Sequence, residues 1–119
     1  MKVAVSALEP SIDSAVDERF GRAMFFVVHD TETNETETID NDVNRKALQA
    51  SGIASAELVA GAGVRAVITG HLGPKAFSAL GLAGIKGYAG VGMTVREALD
   101  AFRTDALDEL TEAGESHQG

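Results

Sequence analysis

Three short apolar runs constrain this chain more than anything else in it. Lys2–Leu8 reads KVAVSAL, Ala23–His29 reads AMFFVVH and Arg65–Thr69 reads RAVIT. Each is too short for a buried helix and has the length and β-branched content of a strand inside a sheet. In the first, Val3, Val5 and Ala7 alternate with Ala4 and Ser6. The second is near-continuous in apolar residues and fits a central strand. After a turn at residues 31–34, Glu35–Asp40 alternates threonine with acids. That pattern suits an edge strand with one wet face, where charge discourages edge pairing. The second and third strands therefore form a hairpin, and Ile85–Ala89 supplies a fifth strand.

Helical signals separate the later strands. Residues 51–62 form a small-residue helix with Ala54, Leu58 and Ala62 on one stripe, closed by Gly63. The Gly70-His71-Leu72-Gly73 turn leads into a helix with Pro74 at its first position. Phe77 and Leu80 point inward there, and Gly81 or Gly84 stops it. Gly90-Val91-Gly92 is a flexible turn. Thr94 and Glu97 match a capping box, and Val95, Ala98, Leu99 and Phe102 follow at i, i+3, i+4 and i+7. Residues 104–112 are expected to prolong that helix by a turn or two.

The order is βββαβαβα. Right-handed crossovers make strands one, four and five parallel, with strand two antiparallel between one and three. The expected fold is an α/β, three-layer, ribonuclease-H-like domain. Its five-stranded mixed sheet has order 3-2-1-4-5, with helices on both faces. The chain's 119 residues suffice for one domain with its own core. That domain is assigned to residues 1–110, and 111–119 to a disordered tail.

Composition narrows the function. There is no cysteine, hence no disulfide, thiolate ligand or thiol nucleophile. The net charge of −8 opposes nucleic acid and anionic membranes. Few aromatic residues and no Trp argue against base stacking. No apolar run reaches the roughly 20 residues of a membrane span. The first strand starts at Lys2, leaving no room for a signal peptide, so the expected location is cytoplasmic. A two-metal nuclease needs carboxylates on strands one and four, where Ser6 and Thr69-Gly70 stand instead. Dinucleotide and P-loop glycine patterns are misplaced or absent, and no nucleophile has a base at a readable spacing. The expectation is a binding protein, not an enzyme.

In such sheets ligands lie beyond the carboxyl ends of the parallel strands, near the switch between strands one and four. Topology brings the loops 9–22 and 70–75 to that end, flanked by residues 90–93 and by 41–46 from the exit of strand three. Arg19, Arg22, Arg45, Lys46, His71 and Lys75 meet Glu9, Asp13, Asp17, Glu18, Asp40 and Asp42 there, so the end has mixed charge. Gly73-Pro74 opens a helix whose first amides favour an anion. Gly70 and Gly73 would let a ligand approach the backbone. The candidate contacts are Arg19, Phe20, Gly21 and Arg22 on the first loop, Gly70, His71, Leu72, Gly73 and Lys75 on the second, and Gly92 and Met93 on the third. His71 is the candidate metal ligand, with Met93 as the alternative soft contact, whereas His29 and Met24 read as structural.

Several of these stretches are familiar in combination. Phe20-Gly21-Arg22-Ala23, Asp40-Asn41, Ala66-Val67-Ile68-Thr69-Gly70, Leu72-Gly73-Pro74-Lys75-Ala76, Gly84-Ile85-Lys86-Gly87-Tyr88 and Gly92 with Thr94–Leu99 occur in this order. Together they resemble the dinitrogenase iron–molybdenum cofactor biosynthesis family across residues 2 to about 105. The resemblance implies noncovalent binding or carriage of a molybdenum-containing metal–sulfur cluster, of the molybdenum–copper sulfide or iron–molybdenum type. It also implies MinD-like P-loop ATPases as partners. Apart from the resemblance, the chain is expected to be a monomer, with the Thr-rich edge strand the alternative route to pairing. Many relatives have a histidine just before the Phe-Gly pair, where this chain has Arg19. A cluster that brings its own sulfides needs amides, cationic side chains and a shaped wall more than it needs cysteine. The competing expectations are a cofactor-free protein–protein adapter and a small-anion site at Gly73.

Overall fold

The computed structural model describes residues 1–47 and 50–114. Strands β1 (Lys2–Ala7), β2 (Phe25–Asp30), β3 (Thr36–Asp40), β4 (Val64–Thr69) and β5 (Lys86–Ala89) make one sheet in the order β3-β2-β1-β4-β5. β2 is antiparallel to both neighbours, while β1, β4 and β5 are parallel. The helices are α1 (Asp42–Arg45), α2 (Ser51–Gly61), α3 (Pro74–Leu82) and α4 (Val95–Arg103). Strand order, strand directions and two-sided helical cover are those expected from the sequence.

Strand alternation divides the interior into two cores. Ala4, Phe26, Val28 and Val67 face α2 and α3, meeting Ala56, Val59, Ala76 and Leu80. Their neighbours Val3, Val5, Val27, Ala66 and Ile68 face the other way, onto Val95, Ala98 and Leu99 of α4. Helix α4 starts at the expected capping box, with Thr94 Oγ1 accepting from the Glu97 amide and Glu97 Oε1 from the Thr94 amide. Gly63 and Gly84 follow α2 and α3 at φ +82° and +73°, so Gly84 rather than Gly81 ends α3.

Two local expectations fail, and one connection gains a helical turn. The buried stripe of α2 is Ser51, Gly52, Ser55, Ala56 and Val59, whereas Ala54, Leu58 and Ala62 are only partly buried. A helix of small residues has no dominant apolar direction, and Ser55 turns inward because polar partners await it there. The connection after β3 contains the single helical turn α1, in which Asp42 binds Arg45 and Lys46, each at 2.8 Å. Finally, α4 does not continue through 104–112. Thr104 caps it and Asp105 turns left-handed at φ 57°. The chain then runs beside β5, with Ala89 N–H donating to Asp108 O and Leu110 N–H to Gly87 O. Gly114 N–H reaches Leu72 O at 2.7 Å, and residues 115–119 of the expected tail lie outside the described residues. Among the described residues no helix is long and apolar enough to cross a membrane.

Candidate functional site

Beyond the carboxyl end of β1, residues 15–19 form a strap that laces the expected loops together. At its start Ala15 bridges Thr94, and Val16 N–H donates to Met93 O at 2.9 Å. At its end Arg19 bridges His71 in parallel register, and His71 N–H donates to Glu18 O at 2.8 Å. The middle is fixed from below. Asp17 N–H donates to Ser6 O, and Ser6 Oγ donates to Asp17 O at 2.6 Å. Ser6 also shares a 2.8 Å hydrogen bond with Thr69 Oγ1. These two hydroxyls stand where a two-metal nuclease would need carboxylates, and they hold backbone instead.

One strap thus brings all three loops to one end of the sheet, on two sides. On one side is a lip carrying the exposed side chains of Arg19, Arg22, His71 and Lys75. Behind it begins α3, whose N-cap residue Gly73 contributes no side chain, so its first amides receive no side-chain cap. On the other side is an open cavity of about 440 Å³, lined by Leu8, Ala15, Val16, Asp17, Glu18, Gly92, Met93 and Thr94. Gly92 and Met93 therefore belong to a cavity with two carboxylates and no cationic lining residue. Arg22, Lys75 and His71 do not line it.

The turn that presents Arg22 is braced from inside. Asn41 is 1% exposed, and its Nδ2 donates to Ala23 O at 2.9 Å and to Ser55 Oγ at 3.1 Å. Ser55 Oγ donates in turn to Gly21 O at 3.2 Å. The end of β3 and the buried face of α2 thereby clamp residues 21–23. Asn41 was visible in the sequence only as a motif residue, and Ser55 gave no signal.

Other expected contacts have different places. Phe20 and Leu72 are core residues, not surface contacts; Phe20 is fully buried with its ring 5.2 Å from that of Phe26. They shape the lip from behind. Gly70 does not make room for a ligand either. A Cβ there would lie 2.7 Å from both Cα and O of Glu18, so the missing side chain lets the strap touch β4. Arg45 and Lys46 are both paired with Asp42. His29 is buried on β2, sharing hydrogen bonds with Thr36 Oγ1 at 2.9 Å and Arg103 Nη2 at 3.0 Å. It pairs with Val3 at the start of β1, far from the lip. Among the described residues no three His, Cys, Asp or Glu side chains group as metal ligands, so His71 could offer a metal only a lone contact.

Asp17 is the residue that sequence reasoning undervalued. It is 3% exposed, although a carboxylate in a polar loop reads as solvated. Its Oδ1 accepts from the Arg19 amide at 3.0 Å and from Arg19 Nε at 3.3 Å. Its Oδ2 is buried without a hydrogen-bond partner.

Known proteins share this architecture. The family model described as dinitrogenase iron–molybdenum cofactor matches residues 1–105. The apo form of the orange protein from Desulfovibrio gigas superimposes with a TM-score of 0.92 at 38% identity, covering 96% of each chain. A NifB-like protein from Thermotoga does so with a TM-score of 0.85 at 33% identity, over 96% of this chain and 97% of that one. An uncharacterised protein of Methanocaldococcus jannaschii is 30% identical over 92% of each chain.

Proposed function

This chain belongs to the dinitrogenase iron–molybdenum cofactor family, and from that premise we propose that it holds or carries a preassembled molybdenum-containing metal–sulfur cluster without a covalent bond. The finer assignment is a molybdenum–copper sulfide or iron–molybdenum type of cluster, seated on the lip between the Arg19–Arg22 turn and the start of α3. The observation that carries this reading is the Arg19–His71 bridge. It sets the first loop against the glycine-started helix at the end of the sheet where such folds take ligands.

The chemistry is that of anion retention. On a chain of net charge −8, an anionic cargo needs a local cationic face; Arg22 and Lys75 bring positive charge beside the uncapped amides of α3, and Arg19, ion-paired with Asp17 at 3.3 Å, adds N–H donors. His71 adds a ring nitrogen at the rim as the expected metal contact. Carriage, with transfer to a partner such as a MinD-like ATPase, suits a lip that is open to solvent.

The test is anaerobic reconstitution of the apo protein with tetrathiomolybdate and copper. Charge-transfer colour co-eluting with monomer is the expected result, with Arg22→Gln weakening retention about tenfold, as loss of a charge-assisted hydrogen bond does. No colour, or equal colour on an unrelated acidic protein, overturns the reading. Competition by phosphate would show that the α3 amides take part.

A further inference from the structure

Asp17 and Arg19 form an ion pair that is left half made. A carboxylate and a guanidinium commonly close two parallel bonds, fork to fork. Here both bonds fall on one oxygen. Asp17 Oδ1 accepts from the Arg19 amide at 3.0 Å and from Arg19 Nε at 3.3 Å. Oδ2 is buried without a hydrogen-bond partner, so neither terminal nitrogen of Arg19 turns back to it. The side chain of Arg19 is 54% exposed and that of Asp17 only 3%. The carboxylate is the fixed member of the pair. Ser6 pins its backbone to β1 in both directions, and Thr69 Oγ1 donates to Asp17 O at 3.4 Å.

We infer that Asp17 is a positioning residue for the lip, gripping Arg19 by Nε so that the two terminal nitrogens form a fork open to solvent. On the reading that the lip retains a sulfide-bearing anion, this fork selects anions that present two acceptor atoms side by side, as adjacent sulfides do. A guanidinium has one donor edge that includes Nε and one made of its terminal nitrogens. Asp17 takes the first, and among the described residues no hydrogen bond takes the second. With a carboxylate 3.3 Å from Nε, the pair brings little net charge to the lip. Arg19 therefore contributes direction more than attraction. Lysine could not replace it, because an ammonium is a point charge without a planar fork and would settle on Asp17.

The experiment compares two sulfur-bearing monoanions on the isotope-labelled apo protein at constant ionic strength. Dimethyldithiocarbamate offers two adjacent sulfurs, and thiocyanate offers one acceptor at each end. NMR follows the amides of residues 19–22 and 71–74 and the Arg19 Nε–H signal. The native protein should show a slowly exchanging Nε–H and bind dithiocarbamate about tenfold more tightly than thiocyanate, the worth of one further charge-assisted bond. Asp17→Ala should bring that ratio to within about twofold of unity, although a carboxylate that merely opposed anions would on removal tighten both. Asp17→Asn keeps an acceptor oxygen and should recover the ratio, while Arg19→Lys keeps the charge and should abolish it. The spectra report whether each variant folds; should Asp17→Ala not fold, the native Nε–H signal and Arg19→Lys decide. Equal native affinities, a rapidly exchanging Nε–H, a native ratio in Asp17→Ala or Arg19→Lys, or no recovery in Asp17→Asn would overturn the assignment. Cluster colour on a native protein that does not discriminate the two anions would remove the fork and leave the cluster reading standing.

Discussion

Two turns frame the functional end of this molecule, and they are fastened by opposite means. Residues 20–23 are held from inside, by Asn41 and Ser55 bonding to the backbone of Gly21 and Ala23 in the buried interior. Residues 90–94 are held by backbone bonds, Gly90 N–H to Thr69 O and Val16 N–H to Met93 O, and their side-chain fastening lies at the surface. The Thr94–Glu97 capping box is exposed, and nearby Arg96 meets Asp13 at 3.1 Å on the surface. For the side-chain bonds of the two turns, the alternative partner differs. Water can replace a lost partner at the second turn and cannot at the first. The lip should therefore be rigid in an all-or-none way, while the cavity's rim tolerates change.

That contrast has graded consequences. Gly70→Ala should cost most, about 3 kcal/mol, because the new Cβ meets the Glu18 backbone rather than a movable side chain. Urea unfolding would measure it, and a cost below about 1 kcal/mol would show that the strap yields. Asn41→Leu comes next at roughly 2–3 kcal/mol, since the Ala23 carbonyl and the Ser55 hydroxyl lose a buried partner. Hydrogen exchange at residues 21–23 should quicken in step; a change confined to global stability would mean that the clamp is not local. Thr94→Ala removes an exposed cap and should cost about 1 kcal/mol, visible in the same unfolding experiment. Should it equal Asn41→Leu, the contrast between inner and outer fastening collapses. Asp13→Ala breaks a surface ion pair and should move stability by at most about 0.5 kcal/mol, less in high salt.

How much of this could be read from residues alone follows the same division. Helix α4 was legible because its apolar residues are large, regularly spaced and preceded by a cap. The strand order followed from run lengths and crossover handedness. Pro74 and Gly63 were legible because backbone geometry restricts what can stand at a helix end. What escaped was polar burial. Asp17, Asn41 and Ser55 look like loop and surface residues by type, and only their partners, distant in sequence, make the interior acceptable to them. Gly70 was read as space for a ligand when the space is taken by the chain itself. Both meanings predict glycine, and a single sequence cannot separate them. The convergence of three loops was foreseen, but their division by the strap into a basic side and an acidic side was not. Only the strap's register puts Glu18 beside His71 and Val16 beside Met93.

The segment after α4 has one more effect. By pairing with the outer margin of β5 it terminates hydrogen bonding on that flank with covalent chain. On the opposite flank, among the described residues, pairing with β3 is opposed by the like charge of Glu35, just before the strand, and of Glu37 and Asp40 within it. One boundary is steric and indifferent to the medium; the other weakens as counterions accumulate, within a Debye length of about 3 Å at molar salt. Growth of the sheet from one molecule into the next, if conditions ever allow it, therefore has a single direction. Ionic strength sets whether that direction is open.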